Sequence, residues 1–209
     1  MRLYEDAVRD TLADAWKRWA HRCAELSPQQ WSTPTRCQPW DVRGLVAHAC
    51  PSRSMFDMLT AATSDAHAEV TDAAEMLRRF NAPGGVAHTS ADDIADQAAT
   101  DATTLTPDDA VMRFTECVEI LRATPMSKEV VISYPVVGTT TTLAVVAEIA
   151  LMEATVHLLD LADAVGGVQP SELALAATRD LLIAIPDPIA AIEALAGRAD
   201  PATVLPAIR

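Results

Sequence analysis

The stretch "ALMEATVHLLDLADA", residues 150–164, lies in the most apolar part of the chain yet carries Glu153, His157 and Asp160. On a helix that turns about 100° per residue, His157 falls about 40° to one side of Glu153 and Asp160 about 20° to the other. All three therefore share one narrow stripe. From Leu143 to Val165 nearly every other residue is apolar, and Glu148 points to the far side, where it can reach water. A helix apolar almost all round belongs inside a bundle, so the stripe is expected to face the bundle's centre or a cavity in it. A buried carboxylate without a partner is too costly to persist, so the stripe needs something to pair with.

A metal ion is one such partner. Glu and His four apart on one helix face can bind a single ion, as sites between facing helices do. A third ligand then has to come from a neighbouring helix, and His48 in "GLVAHAC" is the candidate, at the edge of that segment's apolar face. His21 sits among charged residues, and His67 and His88 lie in polar, loop-like stretches. Three protein ligands leave a coordination position open, the mark of a catalytic zinc. The residues alone leave other readings standing: a satisfied core histidine at 48, or a simple i,i+4 pair between Glu153 and His157. Asp160, three after His157, suits orienting that histidine or touching substrate better than ligating metal.

The elements that must position these groups are legible in outline. Steps of three and four at Val8, Leu12, Trp16, Trp19, Cys23 and Leu26 predict one long amphipathic helix from Arg2 to Leu26. A loop with three prolines leads to Asp41, a credible N-cap for a second helix over "DVRGLVAHACPSRSMFDMLTAAT". Pro51 interrupts that segment and predicts a kink or early break just beyond His48. A short helix stopped by Asn81 and Pro83 follows, then another with Ser90 as its cap. Thr106 and Pro107 open a further amphipathic helix. "EVVISYPVVGTTTT" is the one β-rich stretch, an extended segment or small hairpin. The helix carrying the stripe runs over roughly 141–165 and ends at Gly166-Gly167, and two or three short helices cut by prolines close the chain.

The expected fold is all-α, a four-helix bundle with extra short helices, in one domain over 1–209 (core about 1–166, C-terminal extension 167–209). Half of the 209 residues are apolar, enough for a core without disulfides. A net charge of −13 argues against nucleic acid and against anionic membrane surfaces. No charge-free apolar run is long enough to span a bilayer, and "MRLYEDAVRDTLADAW" lacks a signal-peptide pattern, so a cytoplasmic protein is expected. Cys23, Cys37, Cys50 and Cys117 are scattered, with no metal-ribbon spacing, and read as reduced structural thiols.

"TPTRCQPWDVRGLVAHACPSRSMF", followed about a hundred residues later by "GTTTTLAVVAEIALMEATVHLLDLADAVG", resembles the DinB-like superfamily. Within it the likeness is to the N-terminal domain of mycothiol-dependent maleylpyruvate isomerases. The Trp-containing loop before "LVAH" and the late "E-x-x-x-H-x-x-D-L" helix carry it, and "GRADPATVLPAIR" looks like the ending of many short members. The resemblance implies a DinB-like four-helix bundle whose His48, Glu153 and His157 bind a divalent metal, usually zinc. It also implies a small thiol such as mycothiol as cosubstrate, held as thiolate for S-transfer or thiol-assisted isomerisation. A small-molecule substrate and a possible homodimer are expected as well, and Asp160, by its spacing from His157, is the expected catalytic-site carboxylate. Arg36, Arg43 and Arg53 are candidates to receive an acidic substrate or the thiol, with Arg53 taken as the cofactor contact; the plain alternative for each is a solvated arginine. A lyase, cyclase or hydrolase without thiol, and a metal-free binding bundle, are the alternative functions. Trp40 reads as packing at the helix entrance, and Cys37 and Cys50 as structural.

Overall fold

Helix α1 (Glu5–Glu25) forms because its apolar residues recur every third and fourth position, and that face is buried at Val8, Leu12, Trp16, Trp19 and Cys23. The computed structural model describes residues 5–127, 129–134 and 137–204; Arg2–Tyr4 of the expected first helix and Leu205–Arg209 lie outside them. Against α1 pack α7 (Pro107–Ala123) and α8 (Leu143–Val165), the helix with the polar stripe. The Trp19 ring stacks on Phe114 of α7 with centroids 5.6 Å apart, and its Nε1 donates to the Ala154 carbonyl at 2.9 Å. That bond is wholly buried and sets α8 against α1 one residue beyond Glu153.

The expected break at Pro51 is found. Helix α2 (Val42–Ala49) ends at Cys50 in extended backbone, and α3 (Arg53–Ala61) starts afresh from Ser52, whose hydroxyl accepts from Met55 N. Asp41 caps α2 as expected, accepting from Gly44 N at 2.9 Å. The break leaves His48 in the last turn of α2, which packs on α8 and on α6 (Ala91–Ala102). One cap differs from expectation. Ser90 precedes α6 but makes no side-chain cap bond, because its backbone closes the short helix α5 (Val86–Thr89) by donating to Val86 O.

Helix α4 (Ala73–Asn81) starts from the Asp72 cap and stops at the expected Asn81. Helix α7 carries a full capping box between Thr106 and Asp109, with Pro107 in its first turn. The β-rich stretch is a hairpin of β1 (Val131–Tyr134) and β2 (Thr139–Thr142), antiparallel with Val131 opposite Thr142; Pro135 and Val136 lie outside the described residues. Thr142 then caps α8, and Gly166, at φ +65°, ends it in the left-handed conformation that favours glycine. Arg22 seals that end from α1, its Nη2 donating to Val165 O at 2.8 Å. Helices α9 (Glu172–Ala184), α10 (Pro188–Leu195) and α11 (Pro201–Val204) finish the chain, α9 packing against α8, α1 and α4.

Candidate metal centre

Helix α8 places Glu153, His157 and Asp160 in mutual reach, as the wheel requires. His157 Nε2 lies 3.3 Å from Glu153 Oε2, and His157 Nδ1 lies 2.9 Å from Asp160 Oδ2. One imidazole thus touches a carboxylate at each nitrogen. The burial is graded along the stripe. The Asp160 side chain is 6% exposed and that of His157 15%, but that of Glu153 is 45% exposed. The stripe is therefore not uniformly buried: its Glu153 end is partly open to solvent.

His48 completes the group from α2. Its ring meets His157 edge-on, with centroids 4.9 Å apart. Trp40 stacks on the same ring at 4.6 Å, so Trp40 is the packing residue expected, with the histidine as what it packs on. The Trp40 ring also lies against Gly44, where a β-carbon would come within 3.1 Å of it. Glycine there lets the loop press onto α2 and fix the His48 ring.

The donor atoms of His48, Glu153 and His157 all lie within 4.8 Å of one another. Zinc–nitrogen and zinc–oxygen bonds of about 2.0–2.2 Å put tetrahedral ligands about 3.3 Å apart, so the set would have to draw together to hold the ion. Two imidazoles and a carboxylate are a zinc-type donor set, and the carboxylate behind His157 is the usual second partner of a ligating histidine. The protonation states match less directly. Burial, helped by His157, pushes His48 down to about 4, so it is neutral and ready to ligate at pH 7. Burial would also lower His157, but hydrogen bonds to Asp160 and Glu153 outweigh it and lift the group to about 9. A metal arriving at neutral pH must therefore displace a proton from His157.

The loop before α2 supplies contacts to Asp160 that sequence reasoning missed. Arg36 Nε donates to Asp160 Oδ1 at 2.6 Å, and the Cys37 thiol donates to Asp160 Oδ2 at 3.1 Å. Thr35, buried beneath them, bonds to the Trp40 carbonyl through both its amide (3.2 Å) and its hydroxyl (2.7 Å), which closes the loop on itself. Burial would raise Asp160, but His157, Cys37 and Arg36 together hold it down to about 2. Burial and the bond to Asp160 push the Cys37 thiol up to about 12, so it stays protonated and serves as a donor. Cys37, His157 and Asp160 also lie within 4.8 Å of one another, but the neutral thiol and the guanidinium on Asp160 make this a hydrogen-bonded network. Arg53 makes none of these contacts: its Nη1 is 2.9 Å from Glu116 of α7, and its side chain is exposed.

A mostly helical bundle with a two-histidine, one-glutamate group across two of its helices is the class that fold and site define. The sequence profile of the mycothiol maleylpyruvate isomerase N-terminal domain family matches residues 12–162, and the chain belongs to that family. A crystal structure of a histidine-to-alanine variant of the mycothiol-dependent maleylpyruvate isomerase has the same fold. The match has a TM-score of 0.51 at 11% identity, over 84% of this chain and 68% of that one. Comparison with curated protein sequences gives no significant match. Among the described residues, no helix is long and apolar enough to cross a membrane.

Proposed function

We propose that the protein is a metal-dependent enzyme using a small thiol, mycothiol or a close analogue, either to transfer it to an electrophile or to assist an isomerisation. The observation that carries this is the convergence of His48, Glu153 and His157 with Asp160 fixed behind His157. Membership of a family named for mycothiol supports the thiol.

In this reading the ligands are His48, Glu153 and His157, and the ion supplies the Lewis acidity that keeps a thiol deprotonated at neutral pH. The chain's own groups do the rest. Asp160 accepts from Nδ1 of His157, so that the proton a metal would displace is the one on Nε2, whose lone pair then faces the site. Trp40 and Gly44 hold the His48 ring in place. Glu153, half-exposed, marks the side from which thiol and electrophile enter.

The test is metal content after purification without added zinc, followed by zinc titration of the wild type and of His157→Ala. One equivalent, lost in the variant, is expected. Loaded protein should then convert mycothiol and a bromobimane to an S-conjugate faster than buffer does. If zinc is not taken up and does not raise the melting temperature, the metal reading fails, and the His157–Asp160–Glu153 contacts are a satisfied polar network. Zinc uptake without conjugate would instead favour a metalloenzyme that uses no thiol.

A further inference from the structure

Three arginines near the site compete for the role of anion receiver, and their contacts separate them. Arg43 is spent on the fold: Nη1 donates to the Leu105 carbonyl at 2.6 Å, and the guanidinium lies 5.3 Å from the centroid of the Trp31 ring. Arg53 is paired with Glu116 of α7. Arg36 alone among them touches the site, through Nε on Asp160, and its side chain is 54% exposed. Its two terminal nitrogens have no partner among the described residues, although Asp163 lies in its field.

A guanidinium held along its Nε side presents its Nη1–Nη2 edge outward as two parallel donors, the geometry that matches a carboxylate. Here the holding partner is an aspartate that also fixes His157, so the free edge is set in a defined place relative to the metal ligands. The loop bonds of Thr35 keep the Arg36 backbone from drifting. The charge of Arg36 is largely balanced by Asp160, so selection would come from the two directed N–H groups rather than from a net positive field.

We propose that Arg36 is a specificity-determining residue whose free guanidinium edge receives a carboxylate on the electrophile, so that the site prefers anionic electrophiles over neutral ones of the same shape. The assignment rests on the metal-and-thiol reading above for what the electrophile meets, but not for the binding itself. Binding is tested with succinate and its neutral diamide, followed by the amide and guanidinium signals of the protein in NMR titrations, on metal-free and zinc-loaded wild type, Arg36→Met and Arg36→Lys. Wild type is expected to bind succinate about tenfold more tightly than the diamide, as a charge-assisted pair of hydrogen bonds implies. Arg36→Met should lose the preference in both metal states, and Arg36→Lys should keep part of it.

A kinetic arm uses iodoacetate against iodoacetamide with mycothiol. In each the thiolate sulfur forms a bond to carbon, iodide leaves with the electron pair, and the thiol proton goes to solvent. The ratio of kcat/KM for the two should fall about tenfold in Arg36→Met. A preference for succinate that survives in Arg36→Met, or one seen only with zinc bound, overturns the assignment, because the anion is then held by the metal. If zinc never binds but the Arg36-dependent preference is present, the metal reading falls and the Arg36 assignment stands.

Discussion

The two sides of the His157 ring are built differently. On the Nε2 side stand His48 and a half-exposed Glu153, whose 3.3 Å contact with the ring is long for a charge-assisted bond. On the Nδ1 side stands Asp160, buried and accepting from three donors at 2.6, 2.9 and 3.1 Å. A side whose polar atoms are all paired is expensive to rearrange, whereas a side with loose contacts and solvent access can exchange partners cheaply. The ring is thus anchored at one nitrogen and available at the other, which is what a ligand or a proton-exchanging group requires.

The largest effect should come from removing the shared ring. His157→Ala takes away a proposed ligand and leaves Asp160 with two donors, so zinc uptake should fall from one equivalent to none by mass spectrometry of the native protein. Asp160→Asn tests the anchored side by itself. The amide keeps the shape but not the charge, so zinc should still bind one to one, with affinity lowered about 10- to 100-fold in a competitive chelator titration. Equal loss in the two variants would mean that Asp160 is itself a ligand, and the asymmetry between the sides would collapse.

Much of this arrangement is legible in the sequence, and the rest fails for identifiable reasons. The α8 stripe can be read because helix periodicity fixes the relative directions of residues three and four apart. The Asp41 and Thr106 caps and the break at Pro51 can be read because each is a local backbone requirement. The contacts of Arg36 and Cys37 with Asp160 cannot, since they span more than 120 residues from a loop with no periodicity. Ser90 has the right side chain for a cap and misses because the preceding helix takes its backbone. The exposure of Glu153 is also tertiary, since no wheel shows where a bundle stops covering its own helix.

Proton linkage gives an intermediate effect in the metal-free protein, because the two histidines are shifted in opposite directions. His48 sits at about 4 against an ordinary 6.5, so between those values the unfolded chain binds more protons and stability rises with pH. His157 sits at about 9, so between 6.5 and 9 the folded chain binds more protons and stability falls as pH rises. The contribution from the His157 contacts is complete below 6.5 and lost through 9, with an upper bound on the order of 3 kcal/mol. These two groups together predict a maximum in metal-free stability near pH 6.5 in urea unfolding. His157→Gln should flatten the alkaline limb and leave the acid limb in place. An alkaline limb unchanged in that variant would show that the folded ring does not hold its extra proton.

The smallest effect tests how much of the anchoring the thiol supplies. Cys37 donates one of the three bonds on Asp160, but S–H is a weak donor and the carboxylate keeps Arg36 and His157 without it. Cys37→Ser should therefore be close to neutral, and Cys37→Ala should lower stability by about 1 kcal/mol and zinc affinity only a few-fold. The comparison with Arg36→Met is the informative one. Loss of the guanidinium removes the shortest bond and, among the described residues, the only positive charge that remains on Asp160 once His157 is neutral, so it should cost several times more zinc affinity than loss of the thiol. If the two losses are equal, the closed side of the ring is held by shape and burial, and charge plays no part in fixing His157.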